Sequence, residues 1–105
     1  MPDARAPAVL SVESGGLRCD ADFYTPDGVD PPWPTVVLAH VFGAPRAWGL
    51  ARFADRFAAE GFAAVVFDYR HFGTSEGTPR RLIDPTRQLA DWQAVLTHVR
   101  ALETV

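Results

Sequence analysis

From residue 17 onward, apolar and polar side chains alternate. Leu17, Cys19, Ala21 and Phe23 interleave with Arg18, Asp20, Asp22 and Tyr24. A period of two marks a half-buried strand. The run AVLSVE, residues 8–13, precedes it, and Gly15-Gly16 stands between them. A two-residue glycine turn between two such runs predicts a β-hairpin over residues 8–24. The prolines of TPDGVDPPWP, residues 25–34, exclude regular structure there. TVVLAH, residues 35–40, is a continuous apolar run and reads as a strand covered on both faces. Over residues 47–61, Leu50, Phe53, Ala54, Phe57 and Ala58 recur at helical spacing, while Arg52, Asp55, Arg56 and Glu60 face away. Gly61 stands where a left-handed residue closes a helix. FAAVVFDY, residues 62–69, is a second buried strand, and residues 70–83 form a loop containing Gly73, Gly77 and Pro79. Asp84-Pro85 reads as an N-cap and first-turn proline, opening a helix over residues 84–103 with Leu89, Trp92, Leu96 and Val99 on its stripe. Residues 1–7 read as a loose arm.

This order predicts an α/β fold: a leading antiparallel hairpin, then a parallel strand–helix–strand unit over residues 35–69, then a helix. The chain has 105 residues, of which 48% are apolar and 22% charged. That suits one small domain, or a piece of a larger one, with a modest core. The net charge of −3 argues against nucleic acid and anionic membrane as partners. No apolar run suits a signal peptide or a membrane span, so a cytoplasmic location is expected. Cys19 is the single cysteine and cannot form an internal disulfide; it reads as a reduced core residue.

Candidate chemistry centres on Gly73-Thr74-Ser75-Glu76-Gly77, which has the form G-x-S-x-G. A nucleophilic serine of that form sits between the end of a buried strand and a helix that starts at once. Ser75 meets neither condition. The strand before it ends near Tyr69, and Glu76, Gly77, Thr78 and Pro79 begin no apolar stripe. The expected role is a glycine-rich turn. Ser11 and Ser14, in or beside the hairpin, have no better claim. The turn after TVVLAH, VFGAPRAW, has one glycine and does not fit a dinucleotide site. His40, His71 and His98 stand apart from one another, so no metal or other cofactor is expected.

Residues 34–80, with LAHVFG at 38–43, FDYRHFGTSEG at 67–77 and the later DW at 91–92, resemble the N-terminal third of an α/β-hydrolase. The likeness is strongest to serine esterase, dienelactone hydrolase-like and aminopeptidase-like members, and runs from about residue 13 to the end. It implies that the loop around Ser75 is structural. The nucleophile elbow would follow a fifth strand beyond Val105, with the acid and histidine later still. It implies one catalytic contribution from this chain, the backbone N–H of Phe42 as an oxyanion donor in a completed enzyme. Val41 replaces the glycine usual at its position, and a β-branched residue in that conformation costs about 1–3 kcal/mol. His71 likewise replaces a glycine. His40, Asp68 and Arg70 are expected to make structural bonds, and Trp48 and Trp92 to cover the core.

The resemblance further implies one helix on each face of a small mixed sheet, and an open edge along residues 35–40, where a fifth strand belongs. The expected function is that of a fragment of a serine hydrolase for ester, thioester or amide bonds, inactive alone. A small-molecule substrate is expected only once a C-terminal part completes it. The alternatives are a non-catalytic assembly module, or half of a split hydrolase, pairing with a partner or with itself through strand 35–40. A fragment that hardly folds is the third.

Overall fold

A computed structural model describes residues 7–40 and 49–105. The expected loose arm at residues 1–7 therefore lies outside the described residues, apart from Pro7, and so do Val41, Phe42 and Trp48. Six elements follow in order: β1 (Ala8–Ser14), β2 (Leu17–Tyr24), β3 (Thr35–Leu38), α1 (Leu50–Ala59), β4 (Ala63–Phe67) and α2 (Pro85–Arg100). The strands form one mixed sheet in the order β1-β2-β4-β3.

The hairpin register pairs Ser14 with Leu17 and Val12 with Cys19. Gly15 and Gly16 have φ of 57° and 81°, which matches the right-handed twist of the flanking strands. β2 then pairs antiparallel with β4, Ala21 opposite Phe67, and β3 pairs parallel with β4, Val37 opposite Val65. All five residues of β4 are buried, as its unbroken apolar sequence requires. β3 is the outermost strand on its side of the sheet among the described residues.

The two faces carry one helix each. On one, Val12, Cys19, Ala21, Val65 and Phe67 pack with Val95 and Val99 of α2. On the other, Ala64 and Val66 pack with Ala54 of α1, flanked by Leu50 and Phe57. α1 packs on the sheet through Ala54, with Leu50 and Phe57 beside it. Phe53, expected on that stripe, lies at its margin and is exposed. Gly61 has φ of 93° and closes the helix as its position suggested.

α2 is capped by Asp84, whose carboxylate accepts from the Thr86 and Arg87 N–H groups at 3.1 and 3.3 Å. Its buried face corrects the expected stripe. Asp91, Val95 and Val99 point inward, whereas Leu89 and Leu96 are exposed. The helix is turned to bring Asp91 to a buried cation. Trp92 is half-buried and stands edge-on to Phe67, ring centres 4.9 Å apart, with its indole N–H on the Tyr69 hydroxyl. Among the described residues no helix is long and apolar enough to cross a membrane.

Candidate functional site at the carboxyl end of the sheet

In a sheet of this kind, ligands bind beyond the carboxyl ends of the parallel strands. Here that end holds His40 after β3, the loop from Asp68 after β4, and the β1–β2 turn. What shapes it is a shortage of partners for β2. The ladder between β2 and β4 ends near Phe67, yet β2 continues back to Leu17. Its backbone groups facing that gap need other partners.

Ser75 and Glu76 supply them. The Asp68 N–H donates to the Asp20 carbonyl at 3.0 Å, the last bond of ladder type. The Asp20 N–H then donates to Ser75 Oγ at 2.8 Å, and the Ser75 hydroxyl donates to the Asp68 carbonyl at 2.8 Å. One residue pair further on, the Glu76 N–H donates to the Arg18 carbonyl at 2.7 Å. The Arg18 N–H donates to Glu76 Oε1, also at 2.7 Å. Ser75 is thus a buried stand-in for a missing strand residue, with its proton and a lone pair both engaged. No helix opens at Glu76. The hydroxyl is buried and bonded on both sides, and no strand-to-helix elbow forms around it.

The loop is tied from within. The Arg80 guanidinium donates to the carbonyls of Gly73, Ser75 and Gly77 at 2.7–2.9 Å. Asp68 Oδ2 accepts from the Thr74 N–H at 3.3 Å. Gly73, with φ of 55°, lies so close that a Cβ there would overlap the Asp68 carboxylate.

The second anchor is a buried ion pair. Arg70 Nε donates to Asp91 Oδ1 at 2.6 Å, and the Arg70 N–H donates to Oδ2 at 2.9 Å. The Ser14 hydroxyl donates to Oδ1 at 2.7 Å, and Arg70 Nη2 donates to the Arg87 carbonyl at 3.1 Å. Asp91 is 1% exposed and Arg70 8%, so the pair joins β1, the β4 exit and α2 in the interior. A Cβ on Gly15 would overlap the Arg70 guanidinium. The structural role expected of Arg70 is met by this pair. Its partner Asp91, in the DW motif at 91–92, carries no signal of that role in the sequence pattern.

Cys19 lies beneath this pair, fully buried. Burial, and next the Asp91 charge, push its thiol up from 9.0 to about 12. The thiol should therefore resist a disulfide reagent at pH 8 until the protein unfolds. Because the folded value lies above the unfolded one, its contribution to stability is complete below pH 9. It is lost as pH rises from about 9 toward 12. Urea unfolding across that range should show a steeper loss for the wild type than for Cys19→Ala.

Of the expected site residues, Phe42 and Val41 lie outside the described residues. His40 is half-buried just beyond β3. Asp68, Arg70, His71 and Ser75 are buried and converge on one braced loop.

A mixed sheet with one helix on each face, entered through a hairpin and crossing over between β3 and β4, is the N-terminal part of an α/β-hydrolase fold. The chain belongs to the X-Pro dipeptidyl-peptidase (S15) family, whose model matches residues 15–102. It is 43% identical over 101 residues to the quorum-quenching protein AidA of Acinetobacter baumannii, covering 96% of this chain and 33% of that one. It is 36% identical over 67 residues to the thiohydrolase aneE of Aspergillus aculeatus, covering 64% and 21%. Among solved structures, that of DcsB in complex with its substrate analogue superposes with a TM-score of 0.85 at 29% identity, covering 95% and 33%. The chain thus spans a third or less of the length of these relatives.

Proposed function

We propose that this chain is the N-terminal scaffold of a serine hydrolase that cleaves ester, thioester or amide bonds through an acyl-serine, and that it is inactive by itself. The observation that carries this is the state of Ser75. The G-x-S-x-G serine of the sequence spends its hydroxyl on the Asp20 N–H and the Asp68 carbonyl. In this reading the nucleophile, acid and base come from residues beyond this segment. Family membership and the likeness to a thiohydrolase support the acyl-transfer class. In this reading the Phe42 N–H is one of two oxyanion donors, and no cofactor takes part. The outer edge of β3 supports the accompanying proposal that a further strand adds there, from the rest of the fold or from a second copy.

A fluorophosphonate probe tests the reading. The chain alone should remain unlabelled. A chimera continued with the C-terminal two-thirds of the Acinetobacter relative should take up about one probe per chain, at a serine outside residues 7–105. Light scattering on the same samples should find the chain alone self-associated and the chimera less so. Labelling of Ser75 in the chain alone would overturn the proposal, and a strictly monomeric chain would remove the open edge.

A further inference from the structure

Among the described residues β1 is the outermost strand on its side of the sheet, with β2 on its inner flank. The bonds of β2 fix which backbone groups face which way. The N–H and carbonyl groups of Arg18 and Asp20 turn toward the β4 side, where Glu76, Ser75 and Asp68 meet them. Alternation turns those of Leu17, Cys19, Ala21 and Phe23 toward β1, where they meet Ser14, Val12, Leu10 and Ala8. The N–H and carbonyl groups of Val9, Ser11 and Glu13 are left pointing outward, and no other described residue bonds to them. All three residues are exposed, Val9 at 68%.

Edge strands that stay single are blunted by lysine, proline or a bulge. β1 has none of these: its register with β2 is unbroken from Ala8 to Ser14, and Glu13 carries its one charge. Its side chains alternate as well. Leu10, Val12 and Ser14 lie on the α2 face, where Val12 is core and the Ser14 hydroxyl meets Asp91. Val9, Ser11 and Glu13 lie on the other. Beside the edge, β1 and α2 flank an open groove of about 580 Å³. Val12 and Ser14 line it from the strand, and Ala90, Ala94, Thr97 and His98 from the helix. The two alanines leave space there that longer side chains would fill.

We propose that β1 pairs antiparallel with β1 of a second copy, about a two-fold axis through Ser11. Centred there, Val9 stands opposite Glu13 of the second copy, Ser11 opposite Ser11, and Glu13 opposite Val9. Each pair exchanges both backbone bonds, so every outward group is used. A centre at Leu10 would set Glu13 opposite Pro7, which has no N–H, and a centre at Val12 would set Val9 opposite Gly15, in the turn. The side chains agree with the Ser11 centre. Leu10 meets Val12 of the second copy, hydroxyl meets hydroxyl at Ser11, and the Glu13 carboxylates stand apart rather than opposed. Ala8 and Leu10 of the second copy, opposite Ser14 and Val12, enter the groove beside α2. The dimer is isologous and joins the two four-stranded sheets into one. This edge lies across the sheet from β3, so the dimer is independent of any strand added there.

Amide hydrogen exchange on the 105-residue chain tests the pairing without a mutation. The Val9, Ser11 and Glu13 amides should be protected at high protein concentration. Dilution to monomer should cost them about tenfold or more in protection, while Leu10 and Val12, bonded to β2, hold theirs. Cysteine cross-linking tests the register. Ser11→Cys should close a disulfide between copies, its Cα atoms standing about 5.5 Å apart. Val9→Cys and Glu13→Cys, each roughly 14 Å from its own counterpart, should stay unlinked alone and link when mixed. Cys19 is buried and takes no part. The same links should form in the chimera, whether or not it takes up the fluorophosphonate probe. Amides of Val9, Ser11 and Glu13 as unprotected at high concentration as at low would overturn the dimer. So would a Ser11→Cys chain that links no faster than Glu13→Cys alone.

Discussion

Asp91→Ala should lower the unfolding free energy by about 3–5 kcal/mol, because it strands a buried guanidinium. A domain of this size has about 5–15 kcal/mol in all, so this single change should consume much of it. Three bonds vanish together: from Arg70 Nε, from the Arg70 N–H and from the Ser14 hydroxyl. Arg70→Met should cost a similar amount by leaving the carboxylate buried with fewer donors. The double variant Arg70→Met/Asp91→Leu should recover a large part of the loss, since two apolar residues can share the site without an orphaned charge. A urea double-mutant cycle reads the coupling directly. Additive single effects would show that the pair does not hold α2 to the sheet.

This pair also explains what the sequence could and could not disclose. Strand, turn and helix positions were legible because they follow from local periodicity. β4 is apolar at every position and is buried at every position. Gly15-Gly16 and Gly61 adopt the conformations for which glycine is suited. The phase of α2 was not legible, because a stripe drawn through apolar residues cannot include a buried aspartate. Asp91 outranks Leu89 and Leu96 for the interior because, among the described residues, it is the carboxylate that pairs with the buried Arg70. The pairing spans 21 residues, and Ser14 joins it from 77 residues away. No spacing rule reaches so far. The loop around Ser75 was legible in the negative sense, since no helical stripe follows it. Its positive role depends on where β4 leaves the ladder, which is a property of the folded sheet. The oxyanion donor proposed at Phe42 rests on resemblance alone.

Ser75→Ala separates a structural hydroxyl from a catalytic one. The change removes the acceptor used by the Asp20 N–H and the donor used by the Asp68 carbonyl, both at 2.8 Å and shielded from water. Each bond left unmade in such a place costs about 1–3 kcal/mol, so a loss of about 2–4 kcal/mol is expected. Tryptophan fluorescence during urea unfolding measures it, with an unchanged m-value showing that the native fold persists. Native-state exchange should localise the damage. The Asp20 amide should lose protection, and so should the Glu76 amide, whose bond to Arg18 continues the same row. Amides of β1 facing β2 should not. In the chimera carrying a C-terminal portion, the same substitution should leave fluorophosphonate labelling intact if, as proposed, the reactive serine lies outside this segment. A variant as stable as the wild type but no longer labelled would reverse both conclusions, making the hydroxyl a reagent rather than a rung of the sheet.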